Sequence, residues 1–404
     1  MNILMVNKFL YPNGGSETYV FKLGQQLEKM GHTVQYFGME HEGRIVGNRI
    51  ECYTSGMDFH GGKLQKLLYP FKIIYSVEAK KKIIKVLHDF QPQVVHLNNF
   101  SFQLTPSIIY GIKAYEKKSG QKVNIIFTAH DSQLVCPNHL MQKFLTGEKC
   151  QECLSGNVWN CTKNKCIHGS FAKSFLGSAE GYIYRRLKTY RLIDRIICPS
   201  RFMEGVLGTN PVLKDKITVM HNFADSDCER ETTDEDKTKE NYVLYFGRYS
   251  EEKGIRTLLK VCKALPDIPF VFIGNGPLEE EVNKLSNIEN RGFLTGEELY
   301  TGISQASFCV FTSECYENCP FAVMEAQMYG TPVIGADIGG VSELIEEGKT
   351  GELFESGSDT ELADKIKMLW KDRARLDEYT KACRIIAFDS VKDYCKKLIE
   401  LYEG

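Results

Sequence analysis

The chain has 404 residues, a formal net charge of -2 and 43% hydrophobic residues. That length predicts two or three domains with sizeable cores, and the near-neutral charge argues against a surface built to hold nucleic acid. No charged and apolar leader precedes the first strand pattern and no apolar run approaches a membrane span, so a cytoplasmic chain is expected, in which fourteen cysteines read as thiols or metal ligands rather than disulfides.

The first unit is a strand, NILMVN, a glycine-rich turn, KFLYPNGGSE, a helix pattern closed by Gly31, and a second strand, TVQYFGM. The backbone of Gly14 and Gly15 at a helix N-terminus can hold a phosphate or a sugar oxygen through its N–H groups. The same glycines would equally serve a tight turn alone. Residues 63–87 mix lysines with Leu, Ile, Phe and Tyr at helix-like spacing, broken by Pro70. They read as a helix packed by its apolar face with solvated lysines; the alternative is a basic face on an anionic membrane. Strand patterns VVHLNN and VNIIFTAHD follow, separated by a helix, and His130 and Asp131 end the second of them. That is the carboxyl edge, where open sheets place their ligands.

Residues 132–169 form a cysteine-rich insertion with Cys136, a CxxC pair at Cys150 and Cys153, and Cys161 and Cys166, flanked by His139 and His168. Two thiol pairs could supply the four soft ligands of a structural zinc. Buried free thiols acting as small hydrophobes are the other reading.

After a long helix pattern, the strands RIICPS and ITVMHNF complete a doubly wound domain over residues 1–223. The polar run at 224–240 reads as a solvated linker. A second domain, 241–387, opens on a strand ending in Gly247-Arg248, then Lys253-Gly254 at a helix start. A planar Arg fork, a compact Lys charge and free helix N–H groups suit a diphosphate. Gly274 and Gly276 precede another helix pattern. Glu317 and Glu325 then stand eight positions apart between the strands SFCVFTS and TPVIG, a spacing that returns to one helix face. Two helices carry the chain to its end, the last after Phe388-Asp389.

Taken together, ICPSRFM, HNFAD, the GR…EKG element and TSECYENCPFAVMEAQMYGTPVIG resemble the signature of retaining glycosyltransferases of family 4, with Phe223 and Ala224 substituted in the HNFAD element. The resemblance implies an α/β, GT-B fold: two Rossmann-like doubly wound domains facing across a cleft, with the C-terminal helix, 388–404, crossing back to the N-terminal acceptor domain. It implies transfer from a nucleotide-diphosphate sugar, a UDP-sugar, to a lipid-linked or surface-polysaccharide glycan precursor. By the family pattern Arg248 and Lys253 would meet the diphosphate, Glu317 the sugar and Glu325 the ribose. Gly14, Gly15, Gly274, Gly276, Asn318, Pro320 and Phe321 would complete the donor site, with Phe293 and Leu294 at the nucleobase. His130 would sit at the donor sugar and reaction centre. Catalysis would need no metal, and the N-terminal domain would touch the inner membrane face peripherally. A nucleotide-sugar 2-epimerase of the same fold and a non-catalytic sugar binder are the alternatives; Asp225-Ser226-Asp227 has the letters of a metal-binding motif but begins the charged linker.

Overall fold

The computed structural model describes residues 1–56, 72–224 and 239–404. It divides into two compact units, Met1–His221 with Val391–Gly404, and Asn222–Ser390. Most of the 63–87 segment's first half and nearly all of the 224–240 linker, with Asp225-Ser226-Asp227, lie outside the described residues.

The first unit is built on strands β1 (Asn2–Val6), β2 (Thr33–Phe37), β3 (Val94–Leu97), β4 (Asn124–Thr128), β5 (Arg195–Cys198) and β6 (Ile217–Val219). They form one six-stranded sheet in the order β2-β1-β3-β4-β5-β6, and every pairing is parallel. Helices are α1 (Gly15–Lys29), α2 (Val77–Phe90), α3 (Ser107–Ser119), α4 (Asn160–Lys163), α5 (Phe171–Arg186) and α6 (Arg201–Gly208). A parallel sheet covered on both faces needs strands that are apolar on both faces. β3 meets this with all of VVHL buried, including His96. In α2, Ala79, Ile83, Val86, Leu87 and Phe90 are buried, and Lys82 is held by Glu78 at 2.8 Å and the Tyr53 carbonyl at 2.6 Å. This helix packs by its apolar face.

The second unit contains β7 (Val243–Phe246), β8 (Phe270–Ile273), β9 (Ile288–Asn290), β10 (Phe308–Phe311), β11 (Val333–Asp337) and β12 (Gly351–Glu355). Its sheet is also six-stranded and parallel, ordered β12-β11-β10-β7-β8-β9. The chain winds outward from β7 to β9, then returns to lay β10 on the other side of β7. The carboxyl ends of β7 and β10 therefore open apart, which is where doubly wound sheets bind ligands. Its helices are α7 (Ile255–Ala264), α8 (Glu279–Val282), α9 (Gly296–Gln305), α10 (Phe321–Met328), α11 (Asp359–Lys371) and α12 (Arg373–Ile385). Two edge strands carry little sequence signal: β9 is a three-residue IEN, and β12 is a GELFE flanked by charge. Where the sequence suggested two final helices, three are present, because Asp372 breaks the run and caps α12 by accepting a hydrogen bond from the Arg375 N–H at 3.1 Å.

The last helix, α13 (Val391–Glu403), belongs to the first unit. A buried polar chain fixes it there. Tyr402 hydroxyl bonds His96 Nδ1 at 2.6 Å, His96 Nε2 bonds Thr128 Oγ1 at 2.7 Å, and Tyr19 hydroxyl lies 3.2 Å from Thr128 Oγ1 and 2.9 Å from the Tyr394 hydroxyl. Every member has a partner, the condition under which a buried polar network specifies one arrangement.

Candidate active site

The loops after β7 and β10 carry Arg248, Lys253 and Glu317. After β7, Arg248 is exposed and makes no ion pair among the described residues. A short turn over Glu251–Lys253 leads through Gly254 into α7. Gly254 has φ +70°, and a Cβ there would lie 1.9 Å from the Thr312 carbonyl oxygen, so only glycine lets the turn lie against the loop after β10. That loop is stapled to it: Thr312 Oγ1 donates to the Lys253 carbonyl at 2.8 Å, the Glu314 N–H to the Glu252 carbonyl at 2.9 Å, and Thr257 Oγ1 to Glu314 Oε1 at 2.5 Å.

The staple aims Lys253 at Glu317. Lys253 Nζ lies 2.5 Å from Glu317 Oε1, which also accepts from Ser313 Oγ at 2.6 Å, while the Gly340 N–H donates to the Glu317 carbonyl at 2.8 Å. Burial works against the lysine's charge, but the Glu317 carboxylate more than offsets it and holds the pKa above the usual lysine value. Both α7 and α10 begin beside this pair, and neither has a side-chain cap, so their first N–H groups are not satisfied by capping side chains.

The eight-residue spacing does not put both carboxylates on one helix. Pro320 is the N-cap of α10, so Glu325 is helical while Glu317 stays in the loop. Proline has no N–H to contribute at a helix start, and it ends the preceding loop there. Glu317 is oriented by Ser313 and Lys253 instead. Ser313 went unread because a serine after a strand carries no distinctive signal.

The remaining donor-site candidates are spread around this opening. Gly274 at the end of β8 has φ +150°, and a Cβ on it would lie 1.9 Å from the Gly247 carbonyl oxygen, so it keeps the β7 and β8 loops in contact. Gly276 follows, and the helix after it, α8, is only four residues long. Phe293 is 69% exposed while Leu294 packs on the core. Asn318 and Pro320 are part-buried, and Phe321 meets Phe223 with ring centroids 5.8 Å apart.

In the first unit the corresponding opening lies between β1 and β3. Gly14 and Gly15 start α1 there, and Gly14 makes no side-chain cap. Glu17 occupies this turn: it is 2% exposed, accepts from Asn7 Nδ2 at 2.9 Å and from Ser16 Oγ at 3.0 Å, and would stand 3.6 Å from a Cβ on Gly14. Both carboxyl oxygens of Glu17 are thus engaged within the turn. An acid in the first turn of a helix is so common that Glu17 gave no sequence signal. His130, past the end of β4, places Nε2 2.9 Å from Asn98 Oδ1. Burial holds its imidazole down to about 3, so it is neutral at physiological pH. Asp131 Oδ2 lies 3.7 Å from His139 Nδ1, and Asp131 Oδ1 accepts from the Gln133 N–H at 2.9 Å.

Cys136, Cys150, Cys153, Cys161 and Cys166 line one small cavity, and all are free thiols. Burial pushes Cys136 up to about 11 and Cys153 up to about 12. Among the described residues no group of three or more His, Cys, Asp or Glu side chains is placed to hold a metal ion, and Cys153, Cys161 and Cys166 stand as a packed cluster with Ile167 against it.

Residues 13–227 match the family described as Glycosyltransferase Family 4, and residues 229–384 match Glycosyl transferases group 1. The chain belongs to glycosyltransferase family 4. Among its family relatives, an uncharacterized glycosyltransferase of Methanocaldococcus jannaschii is 28% identical over 78% of this chain and 84% of its own. The sulfoquinovosyl transferase SQD2 of Arabidopsis thaliana is 34% identical, over 35% of this chain and 29% of its own. Of solved structures, Anabaena HepE in complex with UDP matches with TM-score 0.64 at 16% identity, covering 100% of both chains. Sucrose-phosphate synthase from Thermosynechococcus elongatus matches with TM-score 0.67 at 17% identity, over 100% of this chain and 98% of that one. The two six-stranded parallel sheets are those of the GT-B glycosyltransferase fold.

Proposed function

We propose that this family-4 glycosyltransferase moves a sugar, with retention of configuration, from a nucleoside-diphosphate donor to a glycan or lipid-linked acceptor. The observation that carries the reading is the Lys253–Glu317 pair, 2.5 Å long, beside two helix N-termini that have no side-chain caps. In this reading the bond from the sugar's anomeric carbon to the phosphate oxygen breaks, and its electron pair leaves with the diphosphate. The acceptor hydroxyl bonds that carbon from the same face and passes its proton to the departing phosphate oxygen. Negative charge on the leaving group grows toward the transition state, so Lys253, Arg248 and the helix N–H groups stabilise that state most. Glu317 is proposed to hold a sugar hydroxyl, Glu325 the ribose, and Gly274, Gly276, Phe293 and Leu294 the nucleotide. UDP and UDP-glucose in the HepE complexes support a uridine diphosphate donor. In the first unit, neutral His130 is proposed to offer a ring nitrogen to a sugar hydroxyl, and the Gly14–Gly15 turn a phosphate or sugar contact.

A panel of nucleotide sugars tested by thermal shift identifies the donor, since ligand binding raises stability by mass action. Donor incubated without acceptor should remain unchanged, whereas an epimerase would convert it. Because protein cations carry the leaving-group charge, transfer is expected to persist in EDTA. Loss that Mn²⁺ restores would overturn this assignment. Zinc in the thiol cavity, where no three ligand side chains are placed for a metal among the described residues, would have to draw the thiols together and would act on folding rather than turnover; its absence from protein purified without chelator, by elemental analysis, removes it.

A further inference from the structure

Nine of the fourteen large apolar side chains left exposed among the described residues fall between residues 140 and 187. Helix α5 carries their centre. Phe171, Phe175 and Tyr182 are 61%, 46% and 49% exposed, and at about 100° per residue they lie within roughly 40° on one helix face. The Trp159 ring sits 5.6 Å from Phe175 and 5.9 Å from Tyr182, and Phe171 stacks on Phe175 at 6.4 Å. Phe144 extends the patch through His168, 5.7 Å away. A surface helix ordinarily turns its apolar stripe inward. Here α5 buries Ser174, Gly177, Ser178, Glu180 and Tyr184 and leaves Phe171, Phe175 and Tyr182 in solvent.

The rim of this face is basic. Toward the helix C-terminus Arg186 is exposed and lies within roughly 60° of the three rings, Arg185 is part-buried beside it, Lys188 follows and is exposed, and the one acid of α5, Glu180, is buried. Residues 140–190 hold eight Lys and Arg against three Glu, in a chain whose net charge is -2. Aromatic rings flanked by cations match the boundary between anionic headgroups and acyl chains. A second copy of the chain is a poor occupant, because a self-complementary contact would set like-charged rims against each other.

We propose that this face, α5 with Trp159 and the loop carrying Phe144, docks on an anionic membrane surface. The location differs from the 63–87 segment, and the inference stands independently of the transfer reaction. The test uses the full chain with vesicles of phosphatidylcholine alone or mixed with phosphatidylglycerol, without donor or acceptor. Cosedimentation is expected with the mixed vesicles only, and it should weaken as salt shortens the screening length. The chain has two tryptophans. In a Trp370→Phe background, Trp159 emission should shift to the blue on binding. Arg186→Glu with Lys188→Glu should weaken partitioning at least tenfold, since each cation near such a surface contributes about fivefold, or about 1 kcal/mol. Phe171→Ser with Phe175→Ser should lose the blue shift while keeping the wild-type circular dichroism. Wild-type protein that ignores the mixed vesicles, or variants that bind as well as wild type, would overturn the proposal. So would a concentration-dependent dimer that the Phe pair dissolves in protein that binds no vesicles, since the face would then belong to a second copy.

Discussion

Lys253→Ala is expected to lower turnover by about 2–4 kcal/mol of transition-state stabilisation, the scale measured when an oxyanion donor is removed, and to weaken nucleotide binding as well. The pairing with Glu317 shapes the rest of the series. Without donor, Lys253 is held at 2.5 Å by Glu317, so a diphosphate must compete with that carboxylate for the ammonium. Glu317→Ala should therefore leave nucleoside-diphosphate affinity intact or raise it, while turnover falls because a sugar contact is lost. Glu325→Ala should do the reverse, weakening donor and free nucleotide alike, with turnover at saturation largely kept, since a ribose contact is equal in ground and transition states. Combining Lys253→Ala with Glu317→Ala should cost less than the sum, because the single Lys variant leaves a carboxylate with its partner removed. Titration calorimetry and steady-state rates on the four proteins decide the matter. Wild-type turnover in Glu317→Ala together with wild-type nucleotide affinity in Glu325→Ala would remove the two carboxylates from the reaction and reduce them to helix-end and surface groups.

Both sheets were legible because parallel strands buried on two faces read as short apolar runs, and the glycines and cations after β7 sit in a pattern that few other functions require. The pairing of Lys253 with Glu317 was not legible. Sixty-four positions separate them, and only the return of β10 beside β7 brings their loops together. Glu325 and Glu317 were read as one helix face from spacing alone, and Pro320 overrode that periodicity by starting the helix after Glu317. The aromatic side of α5 escaped for a related reason. Phe, Leu and Tyr at helical spacing normally mark a core-facing stripe, and it takes the burial of Ser174, Gly177, Ser178 and Tyr184 to show that Phe171, Phe175 and Tyr182 face the other way.

The same helix supplies a stability prediction with a defined sign. Glu180 is buried on α5, its Oε1 has no hydrogen-bond partner among the described residues, and burial raises its carboxyl from the ordinary 4.5 to about 8. The folded protein thus keeps a proton that the unfolded chain releases. Where the folded state binds more protons, stability falls as pH rises; the carboxyl's contribution is complete below the unfolded pKa and is lost progressively up to the folded one. Across that window the loss runs at about 1.4 kcal/mol per pH unit, so by pH 7 the group costs roughly 3 kcal/mol relative to a side chain that does not titrate. Glu180→Gln keeps the shape and removes the ionisation. The variant is expected to match wild type within about 1 kcal/mol near pH 5 and to exceed it by about 3–5 kcal/mol at pH 8, read as diverging midpoints in urea titrations at the two pH values. Parallel midpoints at both would mean that the native carboxyl ionises near its ordinary range, and that water or a neighbouring donor reaches its Oε1.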